Sequence, residues 1–114
     1  MSVEAMWQVT FAKGTTEANF DGGSAVFVLE TGRVFGGDSW FYFTGIYAVK
    51  NGKMSVQVRS RRHADGAQSV ARSDDEILVL EGAVGETEMT LAGHVASNPD
   101  RVFVAELRRL DNLP

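Results

Sequence analysis

Hydrophobic and polar residues alternate along most of this chain, in short segments separated by polar or glycine-rich turns. Met54, Val56 and Val58 alternate with polar residues, and Met89 and Leu91 follow the same pattern further along. A period of two residues is typical of a β-strand with one face in a core and the other in water. The pattern predicts about seven or eight strands and no long amphipathic helix. We expect these five side chains to line the interior of the fold.

The segments between the strands carry recognisable turn signals. Asn51-Gly52 is the strongest, because a type I′ hairpin turn needs a positive φ at both central residues. Thr31-Gly32 predicts a second short hairpin, and Gly85-Glu86 predicts a type II′ turn with glycine first. Asn98-Pro99-Asp100 predicts a further turn.

Consecutive hairpins favour a meander of antiparallel strands. We predict an all-β fold, a closed up-and-down barrel rather than a small sandwich, because closure removes exposed edge strands. Residues 61–75 carry no apolar period and predict the longest connection, with one helical turn near residues 69–71. The last strand is expected to end at Leu107, with Arg108 and Arg109 beginning a short tail.

An aromatic segment follows a glycine pair in the middle of the chain. Gly36 and Gly37 predict a sharp bend, which Asp38 can cap through its side chain. The next strand is apolar on both faces, as is the strand that contains Ile77, and the sequence leaves open which face points inward. Outward apolar residues usually mark a site of association, whereas a core covered by loops is the alternative. The candidate residues of a dimer or partner surface are therefore Trp40, Phe41, Tyr42, Phe43, Ile77 and Val79.

Length and composition indicate a single domain over residues 1–114, since 44% of the 114 residues are hydrophobic and can form one core. The net charge of −4 disfavours general binding to nucleic acids or anionic membranes. The chain has no cysteine, which excludes disulfides and thiolate metal sites and suits a reducing compartment. The N-terminus lacks the features of a signal peptide, so we expect a cytoplasmic protein.

The residues that could carry chemistry do not form a recognised catalytic or metal-binding group. His63 and His94 are the only histidines and lack the spacing of a zinc site. No serine lies in a G-x-S-x-G motif. The acidic run 74–76 lies before a strand. It is typical of a solvated loop, or of charged residues that prevent an exposed strand edge from pairing with another chain. The basic run 59–63 reads as a solvated strand end or, alternatively, as a contact for a partner. We therefore predict no catalytic residue, no metal and no cofactor.

Two segments of the chain resemble the GrlR family of bacterial regulators. They are G-R-V-F-G-G-D at residues 32–38 and F-T-G-I-Y at residues 43–47, which is followed by a hairpin, and a weaker likeness extends over nearly the whole chain. The resemblance implies a lipocalin-like β-barrel that forms a homodimer. The type member represses type III secretion genes by binding a transcriptional activator, and it does so without catalysis.

An acidic E-D-E-D motif contributes to that binding in the family, but the equivalent residues 49–52 read V-K-N-G here. The resemblance therefore implies the fold and the homodimer, and leaves the regulatory protein partner open. Our leading hypothesis is a non-enzymatic cytoplasmic protein that regulates a partner. The alternative is a carrier that holds a small apolar ligand inside the barrel, and an enzyme is a third hypothesis.

Overall fold

The computed structural model describes residues 2–13, 24–66 and 73–114, and these residues form a closed β-barrel. Each strand is antiparallel to the next, and the last strand pairs with the first. This confirms the predicted all-β, up-and-down antiparallel barrel. The helical turn predicted near residues 69–71 lies outside the described residues. The strands are β1 (Ala5–Lys13), β2 (Ser24–Glu30), β3 (Arg33–Gly37), β4 (Phe41–Lys50), β5 (Lys53–Arg62), β6 (Asp75–Ala83), β7 (Glu88–Val95) and β8 (Asn98–Asp111).

Two hairpin turns have the geometry that their sequences predict. Thr31 and Gly32 have φ angles of 50° and 78°, and Asn51 and Gly52 have φ angles of 54° and 76°. Positive φ at both central residues is the requirement of a type I′ turn, whose twist matches that of the paired strands. Each turn joins its two strands through only two residues, so it fixes the register of its hairpin.

Two other predicted turns are wrong. Gly85 does not adopt the positive φ of a type II′ turn, and a longer connection over residues 84–87 joins β6 to β7. Asn98 pairs with Val95 and begins β8, so Pro99 lies near the start of a strand, where its missing N–H is tolerated. The chain also does not leave the sheet after Leu107, because β8 continues to pair with β1 and ends at Asp111.

Side chains fill the interior of the barrel. Four phenylalanines pack against one another there, with ring centroids 5.3 Å apart for Phe27 and Phe43, 5.8 Å for Phe11 and Phe43, and 6.0 Å for Phe11 and Phe103. Trp7 is fully inaccessible to solvent beside them. The five predicted lining residues also point inward, and none is more than 4% exposed: Met54, Val56, Val58, Met89 and Leu91.

Candidate interaction surface

The two faces of the aromatic strand β4 have different environments. Phe41 and Phe43 point into the barrel and are each 3% exposed, whereas Tyr42 and Ile46 point outward and are 37% and 62% exposed. Phe43 pairs with Ser60, which lies on the inward face of β5. Phe41 and Phe43 therefore belong to the core, and the prediction that they form an outer surface is wrong.

The bend before β4 places Trp40 at one end of the barrel rather than on its outer side. Asp38 Oδ1 accepts hydrogen bonds from the backbone N–H groups of Trp40 and Phe41, at 2.8 and 2.7 Å, as a capped turn requires. Trp40 is half-buried and packs against the core. A Cβ atom at Gly66 would lie 1.6 Å from Trp40 Nε1, so this glycine lets the chain cover the indole. Trp40 is therefore separated from the outward residues of β4.

The glycines of the bend have a steric role. A Cβ atom on Gly36 would lie 1.8 Å from the carbonyl oxygen of Val26, and one on Gly37 would lie 2.8 Å from that of Phe41. Any side chain at these positions would push apart strands that are hydrogen-bonded to each other. The predicted bend at Gly36, Gly37 and Asp38 thus coincides with a close approach of the backbone at the end of β3.

Three exposed side chains form an apolar patch on the outer side of β3 and β4. Phe35, 40% exposed, pairs across the sheet with Thr44, which places it diagonally next to both Tyr42 and Ile46. Val28 pairs with Phe35 on the other side and is half-buried. We refer to Phe35, Tyr42 and Ile46 as the apolar patch. The predicted surface did not include Phe35 and Ile46. The two-residue turns at Thr31-Gly32 and Asn51-Gly52, which flank β3 and β4, fix the strand register that places these two residues together.

Ile77 and Val79 lie on the outer side of β6, away from the apolar patch. Ile77 is 37% exposed and pairs with Arg59, and Val79 is half-buried and pairs with Gln57. The polar outer residues of β5 therefore separate them from β4. Of the residues predicted for the surface, only Tyr42 therefore lies in the apolar patch, and Ile77 and Val79 lie in a second area beyond β5.

Charged side chains occupy the strip of β5 and β6 between these two areas. Arg59 donates to both carboxylate oxygens of Asp75, from Nε at 2.8 Å and from Nη2 at 2.7 Å. These hydrogen bonds lower the pKa of Asp75 below its ordinary value of 3.8 and raise the pKa of Arg59. Arg61 lies beside this pair, with its Nε 3.9 Å from Asp75 Oδ1. The strip thus carries two guanidinium groups and one carboxylate.

The remaining residues of the basic and acidic runs stabilise the barrel end. Arg62 forms an ion pair with Asp74 at 2.7 Å and stacks over the Phe41 ring at 4.5 Å.

The two histidines lie in different parts of the barrel. His63 Nε2 lies 3.0 Å from the carbonyl oxygen of Asp38, and His94 lies on β7, paired with Val79 and Val102. The described residues contain no group of three or more histidine, aspartate or glutamate side chains placed to hold a metal ion.

The interior offers little space for a ligand next to the lining residues. A cavity that held even one water molecule would leave part of its lining accessible. Met54, Val58, Leu80 and Leu91 are each 0% exposed, so their side chains contact other protein atoms on all sides. Ser60 is the buried polar exception on β5, and its hydroxyl has no hydrogen-bond partner within the part of the chain that the structure describes. These observations leave little room for a ligand among the lining side chains.

Comparison with other proteins adds no family to this description. Neither a scan against models of known protein families nor a search of curated proteins finds a match to this chain. Within the described part of the chain, no helix is long and apolar enough to cross a membrane. Residues 49–52 form the end of β4 and the type I′ turn.

Proposed function

We propose that this protein is a non-enzymatic, cytoplasmic regulator that acts through protein–protein contacts as a homodimer, in the manner implied by its resemblance to the GrlR family. The apolar patch is the observation that carries the proposal. Ile46, at 62% exposure, is the most exposed large hydrophobic side chain among the described residues, and Phe35 and Tyr42 lie next to it. Contiguous apolar surface on the side of a barrel whose core is already filled is typical of an association site.

Charges at the edge of the apolar patch favour a second copy of the chain as its occupant. Arg33 pairs across the sheet with Ile46, and its Nη2 lies 3.1 Å from Glu30 Oε1. In a two-fold dimer each surface faces an identical one, so a neighbouring arginine and glutamate can exchange partners across the interface. The patch therefore has an apolar centre and a rim that is complementary to itself.

The contents of the interior argue against the carrier alternative. An internal ligand needs a cavity, and the lining side chains of β5, β6 and β7 are inaccessible. Native mass spectrometry of freshly purified protein tests this point directly, because a carrier would retain the mass of a small molecule and a packed barrel would not.

Sedimentation velocity at micromolar concentration tests the homodimer. Ile46→Lys places a charge in the centre of the apolar patch, and Leu110→Lys is its matched control, because Leu110 is a similarly exposed apolar residue on β8. Removing one buried isoleucine costs about 2 kcal/mol, which weakens association at least about 30-fold. We expect Ile46→Lys to sediment as a monomer and Leu110→Lys to remain a dimer. A wild-type protein that is monomeric at these concentrations would contradict the proposal.

A further inference from the structure

The charged strip next to the apolar patch contains a guanidinium group that lacks a carboxylate of its own. Arg61 lies on β5, paired across the sheet with Tyr42 on one side and with Asp75 on the other. Asp75 already accepts hydrogen bonds on both oxygens from Arg59. The distance of 3.9 Å from Arg61 Nε to Asp75 exceeds a hydrogen bond.

The hydrogen-bonding capacity of Arg61 is largely unused. Arginine has five N–H donors. Nε of Arg61 is enclosed and has no hydrogen-bond partner among the described residues, and Nη1 lies 3.5 Å from the Tyr42 hydroxyl, which is the outer limit of a hydrogen bond. The side chain is 40% exposed, so its outer nitrogens are open to a ligand. A planar guanidinium with free donors is the preferred partner of a carboxylate, which it binds through two parallel hydrogen bonds.

The surroundings of Arg61 are apolar on two sides. Tyr42 and Ile77 are each 37% exposed, and Ile77 pairs with Arg59, diagonally across from Arg61. Tyrosine and arginine are the residues that are enriched at the centres of protein interfaces. A lone small anion would leave both apolar side chains uncovered, whereas a peptide would cover them.

We propose that Arg61, Tyr42 and Ile77 form a docking site for an acidic peptide segment of a partner protein. One aspartate or glutamate of the segment pairs with the Arg61 guanidinium, and neighbouring apolar side chains cover Tyr42 and Ile77. Charge complementarity selects this occupant, because Arg59 and Arg61 share the carboxylate of Asp75, while the neighbouring Asp74 is paired with Arg62. A nucleic acid is disfavoured, since it would bring a run of phosphates, rather than one carboxylate, against a chain whose net charge is −4.

This inference rests on the proposed function only in taking the ligand to be a protein. The docking site and the apolar patch share Tyr42, whereas Arg61 and Ile77 belong to the docking site alone, and Phe35 and Ile46 belong to the apolar patch alone. The two surfaces can therefore be perturbed separately, at Arg61 and at Ile46.

The experiment is a selection from a phage-displayed library of random peptides against the immobilised wild-type protein. Selected peptides are then titrated by fluorescence polarisation against wild type, Arg61→Ala, Arg61→Lys and Arg33→Ala. Arg33 is the matched control, because it is an exposed arginine with its own glutamate partner at 3.1 Å. Circular dichroism verifies that each variant is folded.

We expect the selected peptides to combine aspartate or glutamate with apolar residues. Arg61→Ala should weaken binding about tenfold, the loss of a partly exposed bidentate charge pair. Arg61→Lys should lie in between, because lysine keeps the charge and lacks the planar fork. Arg33→Ala should bind as wild type does, and added salt should weaken every acidic peptide.

Several outcomes would overturn the docking site: no enrichment over background, enriched peptides without acidic residues, or equal binding to Arg61→Ala and wild type. The homodimer is decided separately by sedimentation. If the docking site is wrong, Arg61→Ala binds the selected peptides as wild type does, whatever sedimentation shows. If the homodimer is wrong, wild type sediments as a monomer, whatever the peptide titrations show.

Discussion

Truncation of Leu91 distinguishes a packed barrel from a ligand carrier. Leu91 lies on β7, is 0% exposed and pairs across the sheet with Ala105. In a packed interior, Leu91→Ala removes buried apolar atoms and leaves a space that the closed sheet cannot collapse to fill. In a carrier, the same side chain would border an existing cavity, and its truncation would only enlarge that cavity.

The structure places the expected cost in the upper part of the known range. Leu→Ala substitutions in well-packed cores cost about 2–5 kcal/mol, with the larger values where the surroundings relax least. Leu91 Cδ2 lies 3.0 Å from where a Cβ on Gly82 would be, so β6 is in close contact with this side chain. Since β6 and β7 are hydrogen-bonded strands of a closed barrel, they have little freedom to move inward. We expect a loss of about 3 kcal/mol in the free energy of unfolding.

Urea unfolding followed by tryptophan fluorescence measures this loss, because Trp7 is fully buried and becomes exposed on unfolding. A loss of about 3 kcal/mol lowers the melting temperature by about 12 °C in a domain of this size. Thr90→Ala is the matched control on the outer face of the same strand, and it should change stability by less than about 0.5 kcal/mol. A cost below about 1 kcal/mol for Leu91→Ala would refute the packed interior and restore the carrier hypothesis.

Three further predictions use the same unfolding measurement. Gly36→Ala should cost about 3 kcal/mol, because the added Cβ would lie 1.8 Å from the Val26 carbonyl oxygen; a near-neutral result would mean that β2 and β3 are not so close. Ser60→Ala should raise stability by about 1 kcal/mol by removing a buried hydroxyl without a partner, and a loss would show that the hydroxyl is hydrogen-bonded. The pair of Arg59 with Asp75 stabilises the fold above the ordinary carboxyl pKa of 3.8, and this contribution is lost as pH falls through the lowered pKa of Asp75. Asp75→Asn should therefore be less stable than wild type at pH 7, with a difference in stability that narrows as the pH falls below 3.8, whereas a constant difference would contradict the pKa shift.

The sequence predicts those parts of the barrel in which local chemistry and strand pattern agree. Asn51-Gly52 is a type I′ turn because glycine and asparagine reach positive φ at low cost, and Thr31-Gly32 adopts the same geometry although a β-branched threonine disfavours its φ of 50°. Asn98-Pro99-Asp100 also has a local turn signal, yet the turn lies at residues 96–97. There the register of β7 against β8 shifts between His94 and Val95, which no local residue preference specifies. Pairing with a distant strand likewise extends β8 beyond Leu107.

The sequence determines which face of β4 points inward, although the hydrophobic periodicity of β4 alone does not. Both faces of β4 are apolar, so alternation cannot say whether Phe43 or Tyr42 points inward. The two-residue turn at Asn51-Gly52, however, pairs Lys50 with Lys53, which is the first of ten uninterrupted pairs between β4 and β5. Cross-strand partners share a face of the sheet.

The neighbouring strand β5 alternates without ambiguity, with Met54, Val56 and Val58 on its apolar face. In this register each even-numbered residue of β5 pairs with an odd-numbered residue of β4. Because the even-numbered residues of β5 point inward, the odd-numbered residues of β4 also point inward, as far as the pair of Ser60 with Phe43. The inward position of Phe43 and the outward position of Tyr42 thus follow from one turn and one amphipathic strand. The apolar patch follows in turn, because Tyr42 and Ile46 are on the outer face and Phe35 pairs between them with Thr44. A surface composed of residues that the register forces outward is unlike a loosely covered core, and it is this surface that the proposed homodimer would bury.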